Sequence, residues 1–295
     1  MIKCIVCNSQ DKIEIPYKFS DLVLSILKKY NINETYHWYL CKECGNGFQF
    51  PKQNDRVMID MWNALDQGAY ESVSKNREAS SKRLFNYFYE YLSEKKSVLD
   101  IGCGHGYLLN EFKQIGFDVF GIDIDNKTKV SHDRLGIDSI IGQVEHIELQ
   151  KKYDIVFSTN SIYFIQNPVK FLKKIKSYLN EDGFLCLALA DFLSNSDNSL
   201  PNYGLAFYPN YYSIEYILSL AGYKVISKEK KLSNILIVCK IDEKVALPKI
   251  NIFKIYFLIK TKKIRYCIFG IPVRILHKLF SDTLISKMIK KLIKY

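Results

Sequence analysis

The sequence predicts an α/β protein whose main domain is a mostly parallel sheet with helices on both faces. Between residues 97 and 240, short apolar segments alternate with segments of helical periodicity, which is the pattern of such a sheet. Paired cysteines precede this region in residues 1–52, and a strongly basic segment follows it in residues 241–295. We therefore expect a small N-terminal module, a helical connector over 53–96, the sheet domain and a basic tail.

The composition is that of a folded globular chain. Of the 295 residues, 48% are hydrophobic and 25% are charged, and both values are ordinary for globular proteins. No apolar run reaches the length needed to cross a bilayer, and the first ten residues lack the pattern of a signal peptide. The expected location is therefore cytoplasmic.

The net charge of +11 is distributed unevenly along the chain. Residues 240–295 contain 14 Lys and Arg against 3 Asp and Glu, which leaves 28 residues of each sign in residues 1–239. A protein whose body binds nucleic acid would carry basic residues on that body. Nucleic acid is therefore a less favoured partner than a small molecule or a saccharide.

Four of the eight cysteines form two CxxC pairs. Cys4 and Cys7 precede Cys41 and Cys44 by an insert of 33 residues. In a reducing compartment such pairs indicate metal ligands rather than disulfides. Four thiolates complete a tetrahedral zinc site and leave no position for a substrate water, so the predicted role is structural. Gly45, directly after Cys44, suits the tight turn of a metal-binding knuckle.

The elements of the connector and the sheet domain follow from apolar periodicity. Residues 83–92 of the connector place four apolar side chains at helical spacing. In the sheet domain, strands are predicted at 97–101, 117–123, 138–142, 153–159, 183–190, 223–227 and 234–240, with helices near 106–115, 126–135, 168–179 and 213–221. Pro168 suits the first turn of its helix.

A glycine-rich turn follows the first predicted strand. The segment VLDIGCGHGYLL contains Gly102, Gly104 and Gly106 between an apolar strand and a helix start. Glycine is expected there because a side chain would keep a ligand away from the backbone. Tyr107 stands where a dinucleotide fingerprint requires glycine. Asp100 would repel a pyrophosphate, but it suits a ligand that carries an ammonium and a sulfonium.

Asp123 ends the next predicted strand, 21 residues after Gly102. A carboxylate in this position can accept hydrogen bonds from both ribose hydroxyls of a nucleoside. The alternative is a turn or cap residue before the following helix. Asp100, the glycines and Asp123 together predict a site for a nucleoside-containing cofactor.

These motifs resemble those of the class I S-adenosylmethionine-dependent methyltransferases. VLDIGCGHG is similar to their first motif, VFGIDID to their second, and residues 153–189 to their block of fourth strand, helix and fifth strand. The resemblance covers residues 80–240 and implies a Rossmann-like seven-stranded domain that binds S-adenosylmethionine. It implies cofactor contacts at Asp100, Gly102, Gly104, Gly106, Asp123, Gln143, Val144 and Asn160.

Two positions depart from the family pattern. Gln143 follows the third strand, where relatives often have an acid that contacts the adenine amino group. The Gln143 carbonyl can accept the same hydrogen bond. Ile162 and Tyr163 replace the Glu-His pair that many relatives carry after the fourth strand, so the usual histidine base is missing.

Three residues are candidates for a catalytic base. Asp191 follows the fifth strand and is the first choice, ahead of Tyr163 and of His105 in the glycine turn. Each has an alternative interpretation. Asp191 can cap a loop, Tyr163 can cover the cofactor, and His105 can face water.

The order of modules leaves three functions open. A zinc ribbon before a methyltransferase domain resembles sugar methyltransferases of surface-polysaccharide pathways, and also ribosomal RNA guanine methyltransferases. The RNA enzymes resemble a short-insert site that includes histidine, unlike the four cysteines here. The first hypothesis is therefore O-methylation of a sugar or polysaccharide precursor. The alternatives are an RNA methyltransferase and a non-catalytic cofactor-binding protein.

Residues 250–295 mix Ile, Leu, Phe and Tyr with Lys and Arg and contain one acidic residue. Their last segment, 282–295, places apolar side chains on one helical face and lysines on the other. A basic amphipathic helix can lie on an anionic membrane surface, and we expect peripheral contact with the inner face of the membrane. The alternative is a helix packed on the catalytic domain.

Overall fold

The computed structural model describes residues 1–15, 21–32, 35–52, 54, 70–92, 94–194, 205–231 and 234–265. The strands in these ranges are β1 (Lys12–Ile15), β2 (His37–Cys41), β3 (Gly47–Phe50), β4 (Ser97–Ile101), β5 (Asp118–Asp123), β6 (Asp138–Ile141), β7 (Tyr153–Thr159), β8 (Leu179–Ala190), β9 (Phe207–Tyr208), β10 (Tyr223–Lys231) and β11 (Asn234–Ile241). The helices are α1 (Asp21–Lys29), α2 (Tyr70–Leu92), α3 (Tyr107–Gln114), α4 (Lys129–Leu135), α5 (Pro168–Tyr178), α6 (Ile214–Leu220), α7 (Ile252–Lys260) and α8 (Lys262–Arg265).

The main sheet has seven strands in the order β10-β11-β8-β7-β4-β5-β6. β4 runs parallel to both of its neighbours, β5 and β7, whereas β11 runs antiparallel to β8 and β10. The predicted Rossmann-like, mostly parallel α/β fold is confirmed. Because the chain leaves β4 in one direction and returns on its other side with β7, the carboxyl end of β4 is a topological switch point, where ligands bind in such sheets.

Successive residues of β4 face opposite sides of the sheet, and helices cover both sides. Val98 lies in the same buried cluster as Phe88 of α2 and Phe112 of α3. Its neighbour Leu99 lies in a second cluster with Leu172 of α5 and residues of α6. The period of two in a strand therefore divides the core into two layers.

The largest difference between predicted and observed elements is at the start of β8. Leu179 and the following NEDG were expected to form a helix end and a turn, but the strand already begins at Leu179. Leu179 pairs with Tyr153, and the amide of Asn180 donates to an oxygen of Asp154 at 2.7 Å. These contacts hold the segment along β7, with an irregularity before residue 184.

A second, antiparallel sheet has the order β1-β2-β3-β9. Its first three strands belong to the N-terminal region, whereas β9 follows β8 of the sheet domain by sixteen residues. Gly47 of β3 pairs with Tyr208, and Phe48 pairs with Phe207. Residues 1–52 therefore share a sheet with a segment near the end of the chain.

The basic tail begins with two helices that pack on this second sheet. Ile255 of α7 is fully buried in a cluster with Trp38, Tyr208 and Phe192. Lys262 of α8 donates to the carbonyl of Phe192 at 2.5 Å. The amphipathic helix predicted over 282–295 and most of residues 53–69 lie outside the described residues. Within the described part of the chain, no helix combines the length and hydropathy that would cross a membrane.

Candidate functional site

The glycine turn connects the carboxyl end of β4 to the start of α3. Gly102, Gly104 and Gly106 all have positive φ values, of 79°, 53° and 77°. A Cβ atom at Gly102 would lie 2.6 Å from the Cβ of Ser161. Glycine is therefore required at position 102 both for the backbone conformation and for the approach of Ser161.

The centre of the turn is open. Among the described residues, no heavy atom lies within 4 Å of the place where Gly104 would carry a Cβ. Gly104 thus leaves room for a ligand to approach the backbone at the switch point of the sheet.

Asp123 lies against this turn, as the sequence predicted. One carboxylate oxygen, Oδ2, accepts a hydrogen bond from the N–H of Gly104 at 2.7 Å, and Oδ1 accepts one from the N–H of Asp125 at 2.9 Å. Each carboxylate oxygen keeps a further lone pair. Asp123 therefore fixes the turn and can still accept from the hydroxyls of a ribose.

Asp100 is the most strained electrostatic group of the site. Its side chain is 1% exposed, and its Oδ1 atom has no hydrogen-bond partner among the described residues. Burial, and secondly the charge of Asp123, raises the pKa of Asp100 to about 7. A cationic group on a ligand would supply both the missing partner and the missing opposite charge.

Asp100→Asn should stabilise the cofactor-free protein at pH 8. In the unfolded chain Asp100 ionises near its ordinary pKa of 3.8, but in the folded protein it ionises only near 7. Folding stability is therefore lost as pH rises from about 4 to 7, by up to about 4 kcal/mol. Since asparagine does not ionise, urea titration should show a gain for the variant that is large at pH 8 and small at pH 5.

Asp154→Asn is the matched control, because its pH dependence has the opposite sign. Burial raises the pKa of Asp154, but hydrogen bonds from Asn180 and from the backbone of Lys96 outweigh this effect, so the pKa is lowered. This variant should lose stability at pH 8. A gain for Asp100→Asn that is equal at pH 5 and pH 8 would contradict the role of ionisation.

The remaining predicted cofactor contacts lie at the carboxyl ends of β6 and β7. Gln143 is exposed and Val144 is buried, and the N–H of the preceding Gly142 donates to the carbonyl of Asp123 at 2.8 Å. Asn160 is exposed and has a positive φ of 54°. The structure thus places Gln143 beside Asp123. The individual contacts to a cofactor stay predictions.

His132 is a residue of the site that the sequence analysis missed. It is fully buried, and its Nε2 lies 2.6 Å from the carbonyl oxygen of Gly104, while its Nδ1 lies 2.9 Å from Oγ of Ser139. Because a carbonyl only accepts, Nε2 must carry the proton. His132 supports the glycine turn from below, and its position inside α4 carried no signal of this role.

The structure places Asp191, the first candidate base, in a fully buried ionic contact. Its Oδ1 accepts from the N–H of Leu193 at 3.0 Å and of Tyr211 at 3.4 Å, and its Oδ2 lies 2.5 Å from Nζ of Lys230. These contacts account for a buried carboxylate without catalysis. A role as the base stays a prediction.

Tyr163 and His105 lie nearer to the glycine turn. Burial raises the pKa of Tyr163, so its hydroxyl is protonated at neutral pH and donates to Oδ1 of Asn160 at 3.3 Å. His105 is 7% exposed, with its ring centroid 5.9 Å from that of Tyr107. Tyr163 is thus suited to donating a hydrogen bond. Its catalytic role and that of His105 stay predictions.

The four paired cysteines meet at one point. Their sulfur atoms all lie within 4.8 Å of one another, with 3.6 Å between Cys4 and Cys44 and 3.5 Å between Cys7 and Cys41. A disulfide would require about 2.05 Å. The edges of a tetrahedron with metal–sulfur bonds of about 2.3 Å are roughly 3.8 Å long. The cluster therefore has the dimensions of a four-thiolate metal site.

The two CxxC turns have the same backbone geometry. The N–H of Asn8 donates to the carbonyl of Cys4, and the N–H of Gly45 donates to the carbonyl of Cys41, both at 3.0 Å. Asn8 and Gly45 have φ values of 61° and 67°. Asparagine and glycine are the residues that adopt this conformation most readily, so the residue after each CxxC pair closes its turn.

The cysteine cluster is linked to a segment beside the candidate active site. The amide of Asn210, which is fully buried, donates to the carbonyl of Gly45 at 2.9 Å. Oγ of Ser213 donates to Oδ1 of Asn46 at 3.0 Å. At the other end of this segment, the N–H of Ala206 donates to the carbonyl of Tyr163 at 2.8 Å. Residues 206–213 thus join the cluster to the end of β7.

Comparison with known proteins places the sheet domain in a family. The chain is 29% identical over 156 residues to a tRNA U34 carboxymethyltransferase of Campylobacter jejuni, which covers 47% of this chain and 52% of that protein. It is 31% identical over 106 residues to a malonyl-[acyl-carrier protein] O-methyltransferase of Ilyobacter polytropus, which covers 33% of this chain and 40% of that protein. The chain thus spans about half the length of the first relative, or less for the second.

Solved structures show the same kind of domain. An S-adenosylmethionine-dependent methyltransferase from Clostridium acetobutylicum matches 55% of this chain and 92% of its own, with a TM-score of 0.47 and 13% identity. The family model described as a methyltransferase domain matches residues 73–228, which is more than half of the chain. The chain therefore belongs to the methyltransferase-domain family.

Proposed function

We propose that the protein is an S-adenosylmethionine-dependent methyltransferase that O-methylates a sugar or a surface-polysaccharide precursor. The observation that carries the cofactor assignment is the buried Oδ1 of Asp100, which lacks a partner beside the open glycine turn. A ligand with an ammonium and a sulfonium meets this need, and Asp123 is placed to bind its ribose.

When bound, the cofactor supplies a methyl group on a positively charged sulfur. Transfer to a hydroxyl forms a carbon–oxygen bond, breaks the carbon–sulfur bond and releases the hydroxyl proton. The protein must align the acceptor and receive this proton. Asp191 and His105 are our candidates for the base, and Tyr163, with its raised pKa, is the candidate for orienting the acceptor.

The cysteine cluster is proposed to hold one structural zinc ion. The chemistry of four thiols supports this assignment, because thiolates at such distances repel one another unless a cation lies between them. Four protein ligands leave no position for a substrate. The ion would therefore stabilise the second sheet and take no part in methyl transfer.

Two features support a saccharide acceptor over RNA. Residues 1–239 carry equal numbers of acidic and basic residues, so the body of the protein lacks the charge that RNA binding requires. The predicted metal site also uses four cysteines and no histidine. RNA is the second candidate acceptor, because one relative of the sheet domain is named as a tRNA-modifying enzyme.

Titration calorimetry and methyl transfer test the proposal in two stages. We expect the full chain to bind S-adenosylmethionine, and we expect labelled methyl groups to enter a nucleotide sugar or a lipid-linked saccharide. Absence of binding would overturn the cofactor assignment and favour a non-catalytic role. Label that enters tRNA and no saccharide would overturn the sugar acceptor and favour the second candidate.

A further inference from the structure

Helix α7 has one buried face and one exposed aromatic face. Ile255 is fully buried against Trp38 and Tyr208. Phe253 and Phe257, by contrast, are 89% and 65% exposed. Residues four apart lie on the same side of a helix, so these two rings form one apolar surface that points away from the protein.

The surroundings of the two rings are basic. Lys254 and Lys260 belong to the same helix and are exposed, and Nζ of Lys254 lies 4.3 Å from the ring centre of Tyr212. From Lys244 to the end of the sequence, Asp282 is the only acidic residue among twelve Lys and Arg. An anionic partner would therefore meet almost no repulsion here.

The exposed rings lie on a helix that is firmly attached. The side chain of Asn251 caps α7 by accepting from the N–H of Lys254 at 2.9 Å. At the other end, Lys262 and Arg265 donate to the carbonyls of Phe192 and Leu193. Partial unfolding of the helix therefore does not explain the exposure of the two rings.

We propose that Phe253 and Phe257, with Lys254 and Lys260, form a docking surface for an anionic lipid bilayer. Apolar rings that insert at the boundary of headgroups and acyl chains, flanked by lysines that contact anionic headgroups, are the elements of such a surface. We favour a bilayer over RNA because the rings lie beside further apolar residues of α7 rather than in a polar groove.

Docking through α7 would also orient the candidate active site. The helix packs on Phe192, which follows the carboxyl end of β8. The glycine turn follows the carboxyl end of β4, and both strands run parallel to β7. The docking surface therefore adjoins the edge of the sheet that carries the site. The membrane proposal itself does not depend on methyl transfer.

Sedimentation with vesicles tests the docking surface in the full-length protein. We expect binding to vesicles of phosphatidylcholine with phosphatidylglycerol, and little binding to phosphatidylcholine alone. The double variant Phe253→Ser, Phe257→Ser should partition at least tenfold more weakly. Val130→Ser is the matched control, because Val130 is 74% exposed on α4, and it should bind as the unchanged protein does. Salt of about 1 M, where the Debye length is about 3 Å, should weaken binding.

A Phe257→Trp variant tests what covers the surface. Brominated lipids should quench its added fluorescence, and its emission should shift to the blue only when anionic vesicles are present. A blue emission without vesicles would mean that residues 266–295 of the chain cover the ring, and would overturn the proposal. So would equal vesicle binding by the double serine variant, or a loss confined to binding of single-stranded RNA.

Discussion

Asp123→Ala should weaken the binding of S-adenosylmethionine by at least about 100-fold. The variant removes the acceptor for the N–H of Gly104 and Asp125, and with it the acceptor for the ribose hydroxyls. Hydrogen bonds to a charged group contribute about 1.5–3 kcal/mol each, and about 1.4 kcal/mol corresponds to a factor of ten. Two lost ribose contacts therefore predict this effect, which titration calorimetry measures directly.

Asp125→Ala is the matched control on the same loop. The Asp125 side chain accepts from the N–H of Lys127 at 3.0 Å and so caps a short helical turn. Its loss should affect stability slightly and leave the affinity within about threefold of the unchanged protein. If Asp123→Ala binds the cofactor as tightly as Asp125→Ala does, Asp123 is a turn residue and has no part in ribose binding.

The central part of the site could be predicted because its signals are local in sequence. The apolar run of β4, the glycines after it and the aspartate at the end of β5 occur within 27 residues, from Ser97 to Asp123. Parallel pairing then brings the two strand ends together without further information. The alternation of buried residues likewise predicted each strand of the main sheet, including β7 with its observed bounds.

Contacts between distant segments could not be predicted in this way. The pairing of Phe48 with Phe207 joins residues that are 159 positions apart, and β9 has only two residues. A strand so short shows no alternation. The hydrogen bond from His132 to Gly104 likewise depends on the packing of α4 under the turn, and a histidine within a helix carries no local signal of it.

The environment of Asp191 illustrates why strand-end position alone does not assign a base. The sequence placed this carboxylate correctly after β8, where catalytic residues of such sheets lie. It did not reveal that Lys230 of β10 reaches the same carboxylate. β10 follows Asp191 by more than thirty residues, so an ion pair of this kind is visible only once the strands are in place.

Cys44→Ser should abolish binding of a metal ion and loosen the segment beside the active site. The unchanged protein should carry about one zinc per chain, because the four sulfurs have the spacing of one tetrahedral site. Structural zinc contributes about 10–16 kcal/mol to small modules that depend on it. Its loss should release Gly45 and break the hydrogen bond from Asn210. Amide exchange should then accelerate over residues 206–214.

Cys186→Ala provides the matched control for this last expectation. Cys186 is fully buried in β8, outside the cluster, so this variant should keep its metal and its exchange pattern, with a modest loss of stability. In Cys44→Ser, amides of β4 and β7 should stay protected, because the main sheet has its own two-layered core. Metal retained by Cys44→Ser would contradict the four-thiolate site. Metal loss without faster exchange over 206–214 would show that the cluster stabilises β1–β3 alone and does not hold the segment that reaches Tyr163.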